Sequence, residues 1–128
     1  MITNFHDQYI TGIEVIENNL EIKATHEGKR GIIKIRKLED LKVNGFKEGN
    51  IINILRIYHQ ENVLQKKGYA FNLIKDACDI NLLLESNKII INKKLQKIIE
   101  GQLIMLEIIP SYGCEIVALG FEIEFTLI

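Results

Sequence analysis

The side chains that could do chemistry in this chain of 128 residues are few: two cysteines, three histidines and one His-Asp dipeptide. Cys114 ends the turn-forming run Pro110-Ser111-Tyr112-Gly113. A nucleophilic cysteine needs a base within hydrogen-bond reach and a lowered pKa. His6 or His59 would have to be that base, and no helix start follows Cys114 to lower its pKa. The competing reading, a small hydrophobe opening a strand, is favoured. In His6-Asp7 a carboxylate sits beside an imidazole and could orient a base. Neighbours on a strand point to opposite faces, so the pair is expected to cap the first strand instead. His6, His26 and His59 lie far apart at no metal-ligand spacing, and Cys78 and Cys114 likewise form no metal motif. Gly28, Gly31, Gly45 and Gly49 are scattered turn glycines without the strand–loop–helix order of a phosphate loop. The expectation is no catalytic residue, no cofactor and no metal, with an enzyme using Cys114 or a histidine as the alternative.

The basic residues Lys29, Arg30, Lys34, Arg36 and Lys37 form the densest charge cluster, and Arg30, Lys34 and Arg36 share one strand face. A nucleic-acid surface would interleave aromatics there, and this face has none. Cross-strand pairing with Glu14, Glu21 or the Glu122/Glu124 row is expected instead. The net charge of −1 supplies no global field for nucleic acid or an anionic membrane. The longest apolar run, Leu103 to Pro110, is broken by Glu107 and is too short to span a bilayer. The N-terminus lacks a basic region followed by an apolar core, so no signal peptide is read. A reducing cytoplasm with two free thiols is the expected setting.

Alternation dominates the rest. Tyr9–Ile16, Leu20–Thr25 and Arg30–Lys37 read as strands joined by the turns Glu17-Asn18-Asn19 and His26-Glu27-Gly28-Lys29, an antiparallel meander. Tyr9, Thr11, Ile13 and Val15 are assigned to one face of the first strand. Leu38–Phe46 reads as a short strand or irregular crossing. Ile51–His59 is apolar on both faces, which implies a central strand covered on both sides or one that crosses between layers. Glu61–Lys67 suggests one or two helical turns ended by Gly68, and Tyr69–Cys78 has roughly helical spacing, with Tyr69–Ile74 as a strand the competing reading. Asp79–Glu85 and Lys88–Ile91 read as strands about a turn at Ser86-Asn87. Asn92 is read as the N-cap of a helix carrying Leu95, Ile98 and Ile99, with Gly101 as its left-handed terminator. Leu103–Ile109 is a strand expected to stop before Pro110. Gly113 suits a positive φ, Gly120 marks a bend or bulge, and Phe121, Ile123, Phe125 and Leu127 share one face of the last strand.

These elements give one domain over residues 1–128. The fold class is α+β, predominantly antiparallel strands in a sandwich or curved sheet with one or two packed helices.

Two stretches carry a likeness. One is the early His-Asp followed by a strand and then Phe46-Lys47-Glu48-Gly49-Asn50-Ile51-Ile52. The other is Pro110-Ser111-Tyr112-Gly113-Cys114-Glu115 with Val117-Ala118-Leu119 and Glu122-Ile123-Glu124. Together they resemble a group of small bacterial β-rich proteins, and the chain is similar in size and style to immunity proteins of polymorphic and contact-dependent toxins. The resemblance implies a non-enzymatic cytoplasmic domain that binds a protein partner, a toxin domain. It carries no catalytic residue onto any position here. The contact surface is expected on a charged sheet face or edge, with Lys34, Arg36, Glu122 and Glu124 as candidates. A structural module is the other reading, since Phe121–Leu127 could pair edge to edge in a homodimer.

Overall fold

The computed structural model describes residues 6–127; the side chains of His26 and Leu127 lie outside that description. Eight strands run β1 (Tyr9–Ile16), β2 (Asn19–His26), β3 (Lys29–Arg36), β4 (Asp40–Asn44), β5 (Asn50–Tyr58), β6 (Ile104–Tyr112), β7 (Glu115–Gly120) and β8 (Glu122–Leu127). Between β5 and β6 come a 3-10 turn at Val63–Lys66 and two helices, α1 (Lys67–Cys78) and α2 (Glu85–Ile99). The fold is α+β with one antiparallel sheet, ordered β4-β7-β6-β5-β1-β2-β3-β8.

The β1–β2–β3 meander forms because each hairpin turn has two residues that accept positive φ. Glu17 and Asn18 make the first, at φ 50° and 66°, and Glu27 and Gly28 the second, at 52° and 79°. Two-residue turns of this hand match the strand twist and so fix the register.

The sheet closes on itself through a bent ribbon. β3 pairs with β8 at Arg36↔Glu122, and β4 pairs with β7 at Asp40↔Leu119. Moving from one ladder to the next, the first strand advances from 36 to 40 while the second retreats only from 122 to 119. That one extra residue is a bulge, absorbed by Lys37 at φ 51°. Backbone bonds span the corner, from Phe121 N–H to Arg36 O at 2.8 Å and from Glu39 N–H to Leu119 O at 2.8 Å. β3 and β4 are thus two arms of one bent strand, and so are β7 and β8, as at the corners of orthogonally packed sheets. A short β1–β5 ladder, Tyr9↔Ile51 and Ile10↔Asn50, closes the circuit on the other side. Gly120 is required at the corner, since a Cβ there would collide with Ile35 and sit 3.0 Å from Arg36 O.

Two cores result. Inside the curved sheet Leu20, Ile22, Ile33 and Ile35 meet Ile52, Leu106, Ile108 and Ile116. Outside it, the opposite faces of β5–β7 present Tyr58, Met105, Val117 and Leu119 to Ile74, Ile91, Leu95 and Ile98 of the helices. The strands β5–β7 are therefore covered on both sides, as their two-faced apolar pattern requires. Burial of each fully enclosed isoleucine contributes about 1.5–3 kcal/mol.

Five sequence expectations are corrected. The first concerns β1, where a register shift between Ile10 and Gly12 moves the buried face. Ile10 is buried, while Tyr9 and Val15 are exposed. The second is the segment read as strands over 79–91. It is a loop followed by α2, which starts at Glu85, so Asn92 is an exposed mid-helix residue and not its cap. Third, Gly68 does not end the helical turn, because α1 runs through it. Fourth, β6 continues past Ile109 to Tyr112, since Pro110 sits opposite Ile52 where the ladder is irregular and one missing N–H is tolerated. Phe121, at the bend, is exposed rather than sharing a buried face with Ile123 and Phe125; the Lys37 ammonium lies 5.0 Å from its ring centre. No helix among the described residues is long and apolar enough to cross a membrane.

Candidate functional site

The charged row read from the sequence forms as a cross-strand unit. Register places Lys34 opposite both Glu124 and Glu21, and Arg36 opposite Glu122. The Arg36 guanidinium donates to Glu124 from Nε at 2.9 Å and from Nη2 at 3.2 Å, and its Nε lies 3.1 Å from Glu122. Arg36 holds the Glu124 carboxyl below the usual carboxylate range, chiefly through the hydrogen bond. The row is a solvated salt-bridge network on the outside of the closed sheet, with Arg36, Glu122 and Glu124 in direct ion pairs and Lys34 opposite two glutamates.

The cysteines sit where thiolates are disfavoured. Cys114 is fully buried, and burial pushes its thiol pKa up. Burial, followed by the neighbouring Asp40 charge, pushes Cys78 up to about 11. Both thiols are expected to resist iodoacetamide at pH 7.5 until denaturant is added. Stoichiometric labelling of the folded chain within minutes would contradict that placement.

His6 and Asp7 do meet, against expectation. Asp7 is not in a strand but at φ 63°, which brings its carboxylate to 3.3 Å from His6 Nε2. His6 Nδ1 lies 2.6 Å from the Asn53 carbonyl, so that nitrogen must donate. The exposed pair therefore fastens the entry to β1 against β5. His59 is tied into a local turn: its Nδ1 accepts from Glu61 N–H and its own N–H donates to Asn62 Oδ1. Among the described residues no three His, Cys, Asp or Glu side chains gather as a metal ion would need.

The most densely connected polar centre was not singled out from the sequence. Glu107, in the middle of β6, is buried on the helix-facing side. Tyr58 of β5 donates to its Oε1 at 2.8 Å and Tyr69 of α1 to its Oε2 at 2.6 Å. Arg56 lies opposite it in the β5–β6 ladder, with Nη1 3.8 Å from Oε1. The available signal was a lone glutamate inside Leu103–Pro110: a carboxylate in an apolar run must find donors or shift the fold. Burial, then the Glu107 hydrogen bond, raises the Tyr58 pKa, and the Glu107 bond raises that of Tyr69. An acid whose folded pKa is raised contributes stability fully below its unfolded value of about 10 and loses it as pH rises further. Unfolding free energy should therefore fall above about pH 10, and less steeply in the double variant Y58F/Y69F. Denaturant titrations from pH 8 to 11.5 test this.

Two surface features stand near these elements. One is a cleft along β5 and the start of α1. It comprises two hollows that share Arg56, Gln65 and Lys66: one of about 260 Å³, lined also by Tyr58 and Asn62 among others, and one of about 460 Å³, lined also by Lys67 and Tyr69. The other is an aliphatic patch where α2 begins: Leu83 is 88% exposed, Leu84 60%, Ile89 54% and Ile90 42%. Helical geometry forces the last two out. With Ile91, Leu95 and Ile98 on the buried stripe, Ile89 and Ile90 lie off it, since each residue turns about 100°.

The chain matches no protein-family model, no curated protein and no solved structure.

Proposed function

We propose that this chain is a non-enzymatic protein-binding domain, and that it acts in the cytoplasm as an immunity protein that neutralises a cognate bacterial toxin. The observation that carries the binding reading is the patch of Leu83, Leu84, Ile89 and Ile90. Four large aliphatic side chains held in water at one helix start are costly unless a partner covers them. They stand beside Glu85 and Lys88, which are paired at 3.2 Å and supply a polar rim. The toxin assignment rests on the chain's likeness in size and style to immunity proteins of polymorphic and contact-dependent toxins. Lys34, Arg36, Glu122 and Glu124 are the polar contact candidates on the sheet side. A homodimer through the same patch is the second reading, and light scattering at increasing concentration separates the two.

The test is direct binding to a candidate toxin domain, sought among the genes that flank this chain's own. A one-to-one complex is expected, and L84E/I89E should weaken it at least about a hundredfold, as loss of an aliphatic hot spot does. Charge reversal of Glu124 should change the association rate more than the lifetime. Equal binding by L84E/I89E and wild type would remove the patch from the interface.

A further inference from the structure

The cleft beside Arg56 has a charge pattern that the partner-binding reading leaves unused. Arg56, Lys66 and Lys67 all line it. Lys66 and Lys67 are exposed and, among the described residues, neither makes an ion pair with a carboxylate. Among the described residues the carboxylate close to Arg56 is Glu107, whose two oxygens are each occupied by a tyrosine hydroxyl, and the Tyr58 hydroxyl takes one hydrogen bond from Arg56. At 3.8 Å the carboxylate balances Arg56 without closing a fork on it. A guanidinium carries five N–H donors, so Arg56 keeps donors for a second acceptor. Three cations thus face one small concavity against one buried carboxylate, and their mutual repulsion would be relieved by an anion. The exposed ring of Tyr69 and the Gln65 amide complete the wall with an apolar face and a neutral donor.

We infer that this cleft binds the phosphate group of a small ligand, held by Arg56, Lys66 and Lys67. A planar fork plus two ammonium groups arriving from separate backbone positions suits a tetrahedral anion, which offers acceptors in several directions; a carboxylate offers them in one plane. The 260 Å³ hollow has room for a phosphate group, and the 460 Å³ one beside it is open to solvent. This site is separate from the aliphatic patch: it lies at the start of α1, and the patch at the start of α2.

The experiment is an amide NMR titration of the intact chain at constant ionic strength with inorganic phosphate, adenosine monophosphate and, as a dianionic control, malonate. Saturable shifts are expected at residues 65–69 and at the Arg56 side-chain N–H with both phosphate probes. The K66Q/K67Q variant changes only exposed side chains and should weaken binding at least about tenfold, as should R56K, which keeps charge but loses the fork. Tighter binding of the monophosphate than of inorganic phosphate would support an ester as ligand; equal affinity would support the free anion. Absence of saturable shifts, unchanged affinity in K66Q/K67Q, or malonate binding as tightly as phosphate would overturn the assignment.

Discussion

Gly113→Ala unfolds most of the molecules or leaves a domain that melts far below wild type. Gly113 sits at φ 90°, a region that costs other residues about 1–2 kcal/mol. A Cβ there would lie 2.9 Å from Asn50 Cα and closer still to Asn50 Oδ1. Asn50 cannot retreat: it is buried, accepts from Lys47 N–H at 2.7 Å and Cys114 N–H at 3.1 Å, and donates back to the Lys47 carbonyl. Displacing it leaves those backbone groups unpaired, each at about 1–3 kcal/mol. The sum over the strain and these three groups, about 4–11 kcal/mol, is a large share of the 5–15 kcal/mol that holds a domain together. Gly28→Ala is the control. It has nearly the same φ, 79°, but nothing lies within 4 Å of its Cβ. It should lose only about 1–2 kcal/mol, from the backbone alone. Urea titration of both variants checks the difference, and equal losses would show that Asn50 does not pin the β6–β7 turn.

Glu107→Leu is the second large effect. It strips the acceptor from two tyrosine hydroxyls and should cost about 1–3 kcal/mol for each one orphaned, while Arg56, 38% exposed, keeps water as its partner. The loss is asymmetric. Adding Y58F and Y69F to E107L removes the orphaned hydroxyls and should recover at least about 1 kcal/mol. A triple variant no more stable than E107L would mean that the carboxylate contributes through shape alone.

How much of this was written in the sequence depends on period. The Leu20/Ile22/Ala24 and Ile33/Ile35 alternations are clean, and the structure buries those residues. The β3–β8 salt-bridge row followed from the same alternation, since Lys34, Arg36, Glu122 and Glu124 all fall on polar phases of neighbouring strands. Misreadings occur where the period breaks. One bulged residue near Thr11 rephases β1, and a propensity pattern cannot place a bulge. The run Ile89-Ile90-Ile91 is β-branched and short of polar interruptions, so it reads as a strand; tertiary packing of Ile91, Leu95 and Ile98 makes it helix instead. That override also hid the patch, because in a strand those isoleucines would have been divided between two faces. The closing of the sheet was not legible, because it depends on pairing between residues about ninety positions apart. Glu107 was visible as an anomaly, but its donors Tyr58 and Tyr69 come from distant elements that only the fold brings together.

The central claim, that this domain covers a toxin with the aliphatic start of α2, is tested most directly by survival. Cells expressing a toxin domain that binds this chain are plated with wild type, with L84E/I89E and with E124K. The account predicts full growth with wild type, killing with L84E/I89E despite its unchanged melting curve, and near-normal growth with E124K. Killing with the wild-type chain present, or equal protection by L84E/I89E, would contradict it.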